Sequence, residues 1–128
     1  AYQPRCDYLE LYHRIDIALD TFPCNGHTTS MDGCWMGVPV ITMVGPTNMG
    51  RGGLDLLSNL KLPELIARSG DEFVRAAVDL AEDTQRLRGL RTTLRERMRS
   101  SPLMDAVRFS EGLESLYREL WRRWCATR

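Results

Sequence analysis

Residues 16 to 32 read Asp-Ile-Ala-Leu-Asp-Thr-Phe-Pro-Cys-Asn-Gly-His-Thr-Thr-Ser-Met-Asp. The apolar stretch from Ile15 to Leu19 predicts a short buried strand, and a Pro-Cys-Asn-Gly turn follows it. The segment from Thr28 to Met36 then predicts a helix, with Thr28 or Thr29 as its N-cap. This order of strand, glycine-containing turn and helix N-terminus is typical of phosphate-binding sites, because free backbone N–H groups and the helix dipole favour an anion. The segment therefore favours a nucleoside diphosphate as ligand.

A second strand is predicted from Val38 to Val44, after Gly37 ends the helix. Strand, helix and strand form a βαβ unit, whose strands should be parallel and whose crossover should be right-handed. The glycine-rich loop Gly45 to Gly53 follows, then a short helix from Leu54 and a brief third strand at residues 65–67. Ligands of open α/β sheets bind at the carboxyl ends of the strands, so we expect both loops to face the ligand.

The second half of the chain is predicted to be helical. Ser69 and Glu72 have capping-box spacing, and apolar stripes at residues 73–81, 87–98 and 107–124 predict helices. We expect the large apolar side chains of the helices to be core, namely Trp35, Met36, Trp121 and Trp124. The predicted fold class is α/β, a partial parallel sheet with helices on both faces and a helical C-terminal tail. We expect one domain over residues 1–128, with an α/β part at 1–67 and a tail at 68–128.

Composition limits the possible partners. The 128 residues have zero net charge and are 43% apolar, so the overall charge does not favour nucleic acid as a binding partner. No apolar stretch approaches the roughly 20 residues that span a bilayer, so we expect no membrane segment. Four cysteines show neither CxxC pairing nor metal-ligand spacing, which favours a reduced, cytoplasmic setting. The chain opens on Ala1 and not on methionine, which indicates a piece of a longer protein.

Several side chains near the predicted helix start are candidates for ligand contact. His27, Thr28 and Thr29 offer hydrogen-bond donors to a phosphate, although capping is the commoner use of such residues. Asp32, one helical turn later, suits a ribose diol or a favourable charge–dipole contact. Asp20 is expected to fix the turn through backbone N–H groups.

Further hypotheses about ligand contact concern Cys24 and Gly26 of the turn and Arg51 of the glycine-rich loop. Cys24 could contact the substrate, but His27 is the only nearby base, so a nucleophilic role is disfavoured. Gly26 serves either close backbone approach or a positive φ. Arg51 is an anion-binding or a solvated loop arginine. The chain contains neither a P-loop nor a GxGxxG motif after a strand.

The chain resembles a known family. The segment from Asp16 to Asp32, followed by Trp-Met-Gly-Val-Pro-Val at residues 35–40, is similar to the C-terminal lobe of O-linked N-acetylglucosamine transferases and SPINDLY-like enzymes. Collinear matches continue through Gly45, Arg51, residues 62–67 and residues 101–121. The resemblance implies a GT-B glycosyltransferase with two Rossmann-like lobes, of which this chain is the lobe that binds the UDP-sugar.

The resemblance also implies roles for individual residues. The UDP-sugar contacts carried over are His27, Thr28 and Thr29 at the diphosphate, Asp32 at the ribose, Cys24 near the sugar, Arg5 as a basic ribose contact, and Gly26 without a specified part of the ligand. Tyr8 stands where family members usually have a histidine that meets the uracil. No catalytic residue is assigned to this chain.

The implied reaction transfers N-acetylglucosamine from UDP-GlcNAc to Ser or Thr hydroxyls of a protein acceptor, with inversion and without a metal. The implied partners are the N-terminal catalytic lobe and tetratricopeptide repeats of a longer protein, without which the chain is expected to be inactive. Two alternatives remain open. One is a non-catalytic interaction module with the same fold, and the other is a transferase that uses another sugar nucleotide, such as UDP-glucose or a fucose donor.

Overall fold

The computed structural model describes residues 3–127, which form a three-stranded sheet and six α-helices. Short 3₁₀ turns lie at Leu11–Arg14, Asn48–Gly50, Pro63–Leu65 and Pro102–Met104. The strands are β1 (Ala18–Leu19), β2 (Val40–Met43) and β3 (Ile66–Ala67). The helices are α1 (Arg5–Glu10), α2 (Thr28–Trp35), α3 (Gly52–Asn59), α4 (Gly70–Glu82), α5 (Thr84–Arg99) and α6 (Ala106–Ala126).

The sheet is parallel and has the order β1-β2-β3. Ala18 is paired with Val40 and Thr42 with Ile66, so the predicted parallel βαβ unit is confirmed. The strands are shorter than predicted. The carbonyl of Ile15, which the prediction put in β1, accepts a hydrogen bond from Arg91 Nη1 at 2.6 Å instead of joining the ladder.

The ends of the helices correct one prediction and confirm two. The N-cap of α2 is His27 and not Thr28 or Thr29, because the helix already begins at Thr28. Gly37 follows α2 with a φ of 82°, as a residue after a helix end requires. Ser69 Oγ accepts a hydrogen bond from Glu72 N at 3.2 Å, which confirms the predicted cap of α4.

The hydrophobic core lies where α3, α4 and α5 pack with the sheet. Ile41 of β2, Leu57 of α3, Leu80 of α4 and Leu94 of α5 have no exposed surface. These four side chains come from four different elements, so the core links the βαβ unit to the first two helices of the tail. Within residues 3–127, no helix is long and apolar enough to cross a membrane.

The last helix differs from its prediction. The periodicity correctly predicted a helix, but within α6, every residue of which the structure describes, no residue is buried. Trp121 is 64% exposed and stacks on Trp124 at 5.2 Å, so the prediction that both are core is wrong in this chain. The helix packs mainly against the turn Pro102–Met104. Trp35 and Met36 are half-buried.

Candidate functional site

A buried aspartate organises the turn that follows β1. Asp20 Oδ1 accepts hydrogen bonds from Gly26 N at 2.7 Å and from Thr21 N at 3.0 Å. Its Oδ2 accepts a hydrogen bond from Thr42 Oγ1 of β2 at 2.8 Å. One carboxylate therefore ties both ends of the turn to the sheet, which is the structural role expected for Asp20.

Gly26 lies where no side chain fits. A Cβ at this position would lie 2.6 Å from Ser30 Oγ and 2.7 Å from Thr29 Oγ1. The residue's φ is not among the positive ones. Of the two explanations that the sequence left open for Gly26, close approach is therefore correct, because the backbone runs against the first turn of α2.

The His27 imidazole lies between the starts of two helices. Its Nδ1 is 3.2 Å from the carbonyl oxygen of Asn25. Because a carbonyl only accepts, Nδ1 must carry a proton. The Nε2 atom faces the start of α3, where a Cβ on Gly52 would lie only 2.7 Å away. The ring thus presents Nε2 at the carboxyl edge of the sheet.

The starts of α2 and α3 are both suited to an anion. The N-cap residues are His27 and Arg51, and in the part of the chain that the structure describes neither side chain caps its own helix. Thr28 and Thr29 are exposed in the first turn of α2. Two positive helix ends that flank an imidazole favour a phosphate group over a neutral ligand.

Arg5, the first residue of α1, forms an ion pair with Asp32 of α2. Arg5 Nη2 lies 3.0 Å from Asp32 Oδ1, and the Asp32 side chain is only 13% exposed while that of Arg5 is 67% exposed. A crevice of about 240 Å³ adjoins the pair, and its other lining residues are Met31, Trp35, Met98 and Met104. The structure thus brings together two residues that are 27 positions apart and were both predicted to meet a ribose.

Tyr8 is linked to the first turn of α2. Its hydroxyl lies 2.6 Å from that of Tyr12, which donates to the carbonyl of Thr29 at 3.1 Å. Tyr12 has one proton to give, so Tyr8 must be the donor in the pair and its own oxygen can only accept from a ligand. Burial is the largest cause that raises the pKa of Tyr12 well above its usual range. The hydrogen bond with Tyr8 and then the charge of Tyr8 raise it further.

The cysteines behave differently from one another. Cys24 is exposed, and its Sγ contacts the carbonyl of Asn25 at 3.8 Å, not the His27 ring. Cys34 of α2 is buried, and burial raises its pKa to about 12. Across the described residues, 3 to 127, no group of three or more histidine, cysteine or acidic side chains is placed to hold a metal ion.

Asn25 and Gly52 belong to the site, although neither is among the site residues predicted from the sequence. Asn25 is 4% exposed and bonds to both loops of the site, while Gly52 leaves space for the His27 ring. The glycine pair at residues 52–53 is predicted to lie in the glycine-rich loop, whereas α3 already begins at Gly52. Neither contact has a local pattern, because each joins residues at least 25 positions apart.

The fold and the site together define a Rossmann-like α/β lobe with an anion-favouring edge. Residues 7–113 match the model of glycosyl transferase family 41, and the chain belongs to this family. The resemblance seen in the sequence is therefore confirmed.

Individual relatives agree with this assignment. The chain is 44% identical over 119 residues to a probable UDP-N-acetylglucosamine–peptide N-acetylglucosaminyltransferase SPINDLY of Solanum lycopersicum, and this covers 93% of the chain and 13% of that protein. A UDP-N-acetylglucosamine–peptide N-acetylglucosaminyltransferase of Caenorhabditis elegans is 37% identical over 109 residues, which cover 85% of the chain and 10% of that protein.

A solved structure supports the fold. A mutant O-GlcNAc transferase of Thermobaculum terrenum is similar to this chain with a TM-score of 0.89 and 42% identity, over 98% of this chain and 24% of its own. The α/β lobe of a GT-B glycosyltransferase that the resemblance implied is confirmed. The chain spans only about an eighth of the curated relatives it matches first.

Proposed function

We propose that this chain is the donor-binding part of an inverting glycosyltransferase that moves N-acetylglucosamine from UDP-GlcNAc to Ser or Thr hydroxyls of proteins. The observation that carries the proposal is the convergence of His27 with the starts of α2 and α3 at the carboxyl edge of the sheet. The names of the relatives, which specify UDP-N-acetylglucosamine and a peptide, supply the donor and acceptor classes.

Each predicted contact has a chemical task in this proposal. The His27 ring, protonated at Nε2 as well as at Nδ1, and the first turn of α2, with Thr28 and Thr29, donate to the diphosphate and stabilise the charge that develops on it as it leaves. Asp32 accepts from the ribose hydroxyls, with Arg5 beside it. Cys24 borders the sugar, Gly26 belongs to the same donor-binding surface, and Tyr8 meets the base. These donors stabilise the leaving diphosphate without a metal ion, whereas other transferases use a bound cation for the same task.

The remaining machinery belongs to a longer protein. We propose that an N-terminal lobe and tetratricopeptide repeats supply the catalytic groups and the acceptor site in a cytoplasmic enzyme. The relatives, which are much longer than this chain, support that proposal. The chain alone is expected to bind the donor weakly and to transfer nothing.

Calorimetric titration with UDP tests the proposal. We expect His27→Ala and Asp32→Ala each to weaken UDP binding about tenfold, the effect of one lost charge-assisted hydrogen bond. His13→Ala is the matched control, because His13 is exposed in the turn Leu11–Arg14, outside this site. Equal affinity for all variants, or no binding by a longer protein that contains the complete lobe, would contradict the proposal. Competition among UDP-GlcNAc, UDP-glucose and GDP-fucose would distinguish the alternative donors.

One observation favours the second candidate, an interaction module. The α6 side chains Leu116, Tyr117 and Leu120 are 49%, 62% and 49% exposed, which is unusual for a stripe of large apolar groups. If the chain serves only as an interaction module, we expect substitutions on α6 to abolish the binding of its protein partner. His27→Ala and Asp32→Ala should then leave that binding unchanged.

A further inference from the structure

Asn25 is the residue that joins the two loops of the site. Its backbone N donates to the carbonyl of Met49 at 2.8 Å. Its side-chain Nδ2 donates to the carbonyl of Thr21 at 3.0 Å, and its Oδ1 accepts from Gly53 N at 3.3 Å. The residue is 4% exposed, so its own polar atoms have little access to water and depend on these partners.

The side chain of Asn25 must be an amide to make these contacts. Thr21 presents a carbonyl and Gly53 presents an N–H group, so the bridge needs one donor and one acceptor at the same place. Gly53 is also tightly packed, since a Cβ here would lie 2.1 Å from Thr42 Oγ1 and 2.6 Å from Asp20 Oδ2. The start of α3 therefore has little freedom to move relative to the turn.

The backbone of Asn25 also sets the orientation of His27. Its carbonyl takes the proton of Nδ1 at 3.2 Å, so in the neutral ring Nε2 is the nitrogen without a proton. The ring is packed against Gly52, the neighbour of the residue that the Asn25 amide holds. The backbone carbonyl of Asn25 thus fixes the tautomer of the imidazole, and its side chain holds the start of α3 that the imidazole faces.

We propose that Asn25 is a positioning residue for the donor diphosphate: its carbonyl holds the free His27 ring as the Nδ1–H tautomer, with Nε2 directed to the start of α3, and the ring carries a proton on Nε2 as well when it donates to the diphosphate. The diphosphate part rests on the proposed function, whereas the tautomer does not. Asn25 acts through His27 and Gly53 and is not itself assigned a contact with the ligand.

Two measurements on the 128-residue chain test this proposal. Long-range ¹H–¹⁵N correlation spectra of the histidine rings, without ligand, report the tautomer, and a His27→Ala spectrum assigns the signals. We expect the Nδ1–H form of His27 in the wild type, and a shift toward a mixture of tautomers in Asn25→Ala, because this variant keeps the accepting carbonyl but loses the side-chain bonds that hold it in place. Asn48→Ala is the matched control, because Asn48 is an exposed asparagine of the neighbouring loop.

Titration with UDP and with inorganic pyrophosphate is the second measurement. We expect Asn25→Ala to weaken the binding of both probes about tenfold, because the imidazole no longer faces the diphosphate. Asn25→Asp retains the acceptor for Gly53 N and loses the donor to Thr21, so we expect intermediate tautomer populations and affinity. This variant also decides the matter if Asn25→Ala does not fold.

The outcomes separate the two proposals. An unchanged tautomer in Asn25→Ala, or wild-type behaviour of Asn25→Asp in both measurements, overturns the role of Asn25. A changed tautomer with unchanged UDP affinity overturns the link between the His27 orientation and the donor. If the longer protein, containing the complete lobe, binds neither probe, the proposed function fails, while the tautomer still decides whether Asn25 positions His27.

Discussion

Single polar residues hold the two loops of the site, and Asp20 is the clearest case. Its carboxylate accepts from two backbone N–H groups and from the Thr42 hydroxyl, and it is 7% exposed. Asp16, four residues earlier, has a side chain that is 80% exposed and an ion pair with Arg91 at 3.6 Å. The two aspartates look alike in sequence, but only Asp20 leaves buried donors without a partner when it is removed.

We expect Asp20→Ala to lower the free energy of unfolding by at least about 2 kcal/mol, since each buried donor that loses its acceptor costs about 1 to 3 kcal/mol. Asp16→Ala should cost less than about 1 kcal/mol, as is usual for an exposed ion pair. Urea denaturation of both variants measures the difference. Equal losses would mean that the carboxylate of Asp20 does not hold the turn.

Cys34 gives a prediction about pH. Burial raises its pKa from 9.0 to about 12, so the folded protein keeps the thiol proton where the unfolded chain loses it. The unfolded state then binds fewer protons than the native state, and the stability contributed by Cys34 declines as the pH rises from about 9 to about 12. Urea denaturation across this range should show a smaller decline in Cys34→Ala.

The thiols should also differ in reactivity in the native protein. At pH 8 a disulfide probe should modify the exposed Cys6, Cys24 and Cys125 and leave Cys34 until the protein unfolds. Rapid modification of all four cysteines would show that the last turn of α2, which contains Cys34, opens easily.

At the level of whole elements, α5 and α6 have similar apolar periodicity and opposite environments. Leu94 of α5 has no exposed surface, while Leu116 of α6 is 49% exposed. We expect Leu94→Ala to cost about 2 to 5 kcal/mol, because it removes buried methyl groups and leaves a cavity. Leu116→Ala, the same change on a helix, should cost less than about 0.5 kcal/mol in this chain. Thermal or urea unfolding measures both, and equal costs would contradict the packing described for α6.

Apolar side chains are exposed on the α6 stripe and on the edge strand β1, where Leu19 is 56% exposed. We propose that the remainder of a longer protein covers α6, since the chain spans 13% of a relative and 24% of a solved homologous chain. A variant that keeps only Trp121 should then be quenched by acrylamide less in the longer protein than in this chain. A variant that keeps only Trp35 is the control and should be quenched equally. Equal quenching of Trp121 in both proteins would contradict the proposal.

The sequence by itself determined the order of the elements, the parallel βαβ unit, the Ser69 cap, the glycine after α2 and the family. These features depend on residues a few positions apart, or on a collinear pattern, so they are readable along the chain. The resemblance also named the candidate contacts His27, Thr28, Thr29, Asp32 and Arg5, whose roles stay predictions. The N-cap at His27 was missed because the residue caps without a side-chain hydrogen bond.

Only the tertiary structure decided what meets across the site and what is left outside the core. The Asp20–Thr42 and Asn25–Gly53 bonds join residues 22 and 28 positions apart, and the Arg5–Asp32 pair spans 27. The spacing of apolar residues predicts that a helix has an apolar face, but it does not say what covers that face. That is why Leu94 and Trp121 both lie on predicted apolar stripes, and why only Leu94 is found in the core: the partners of a side chain are set by chain packing, not by its neighbours in sequence.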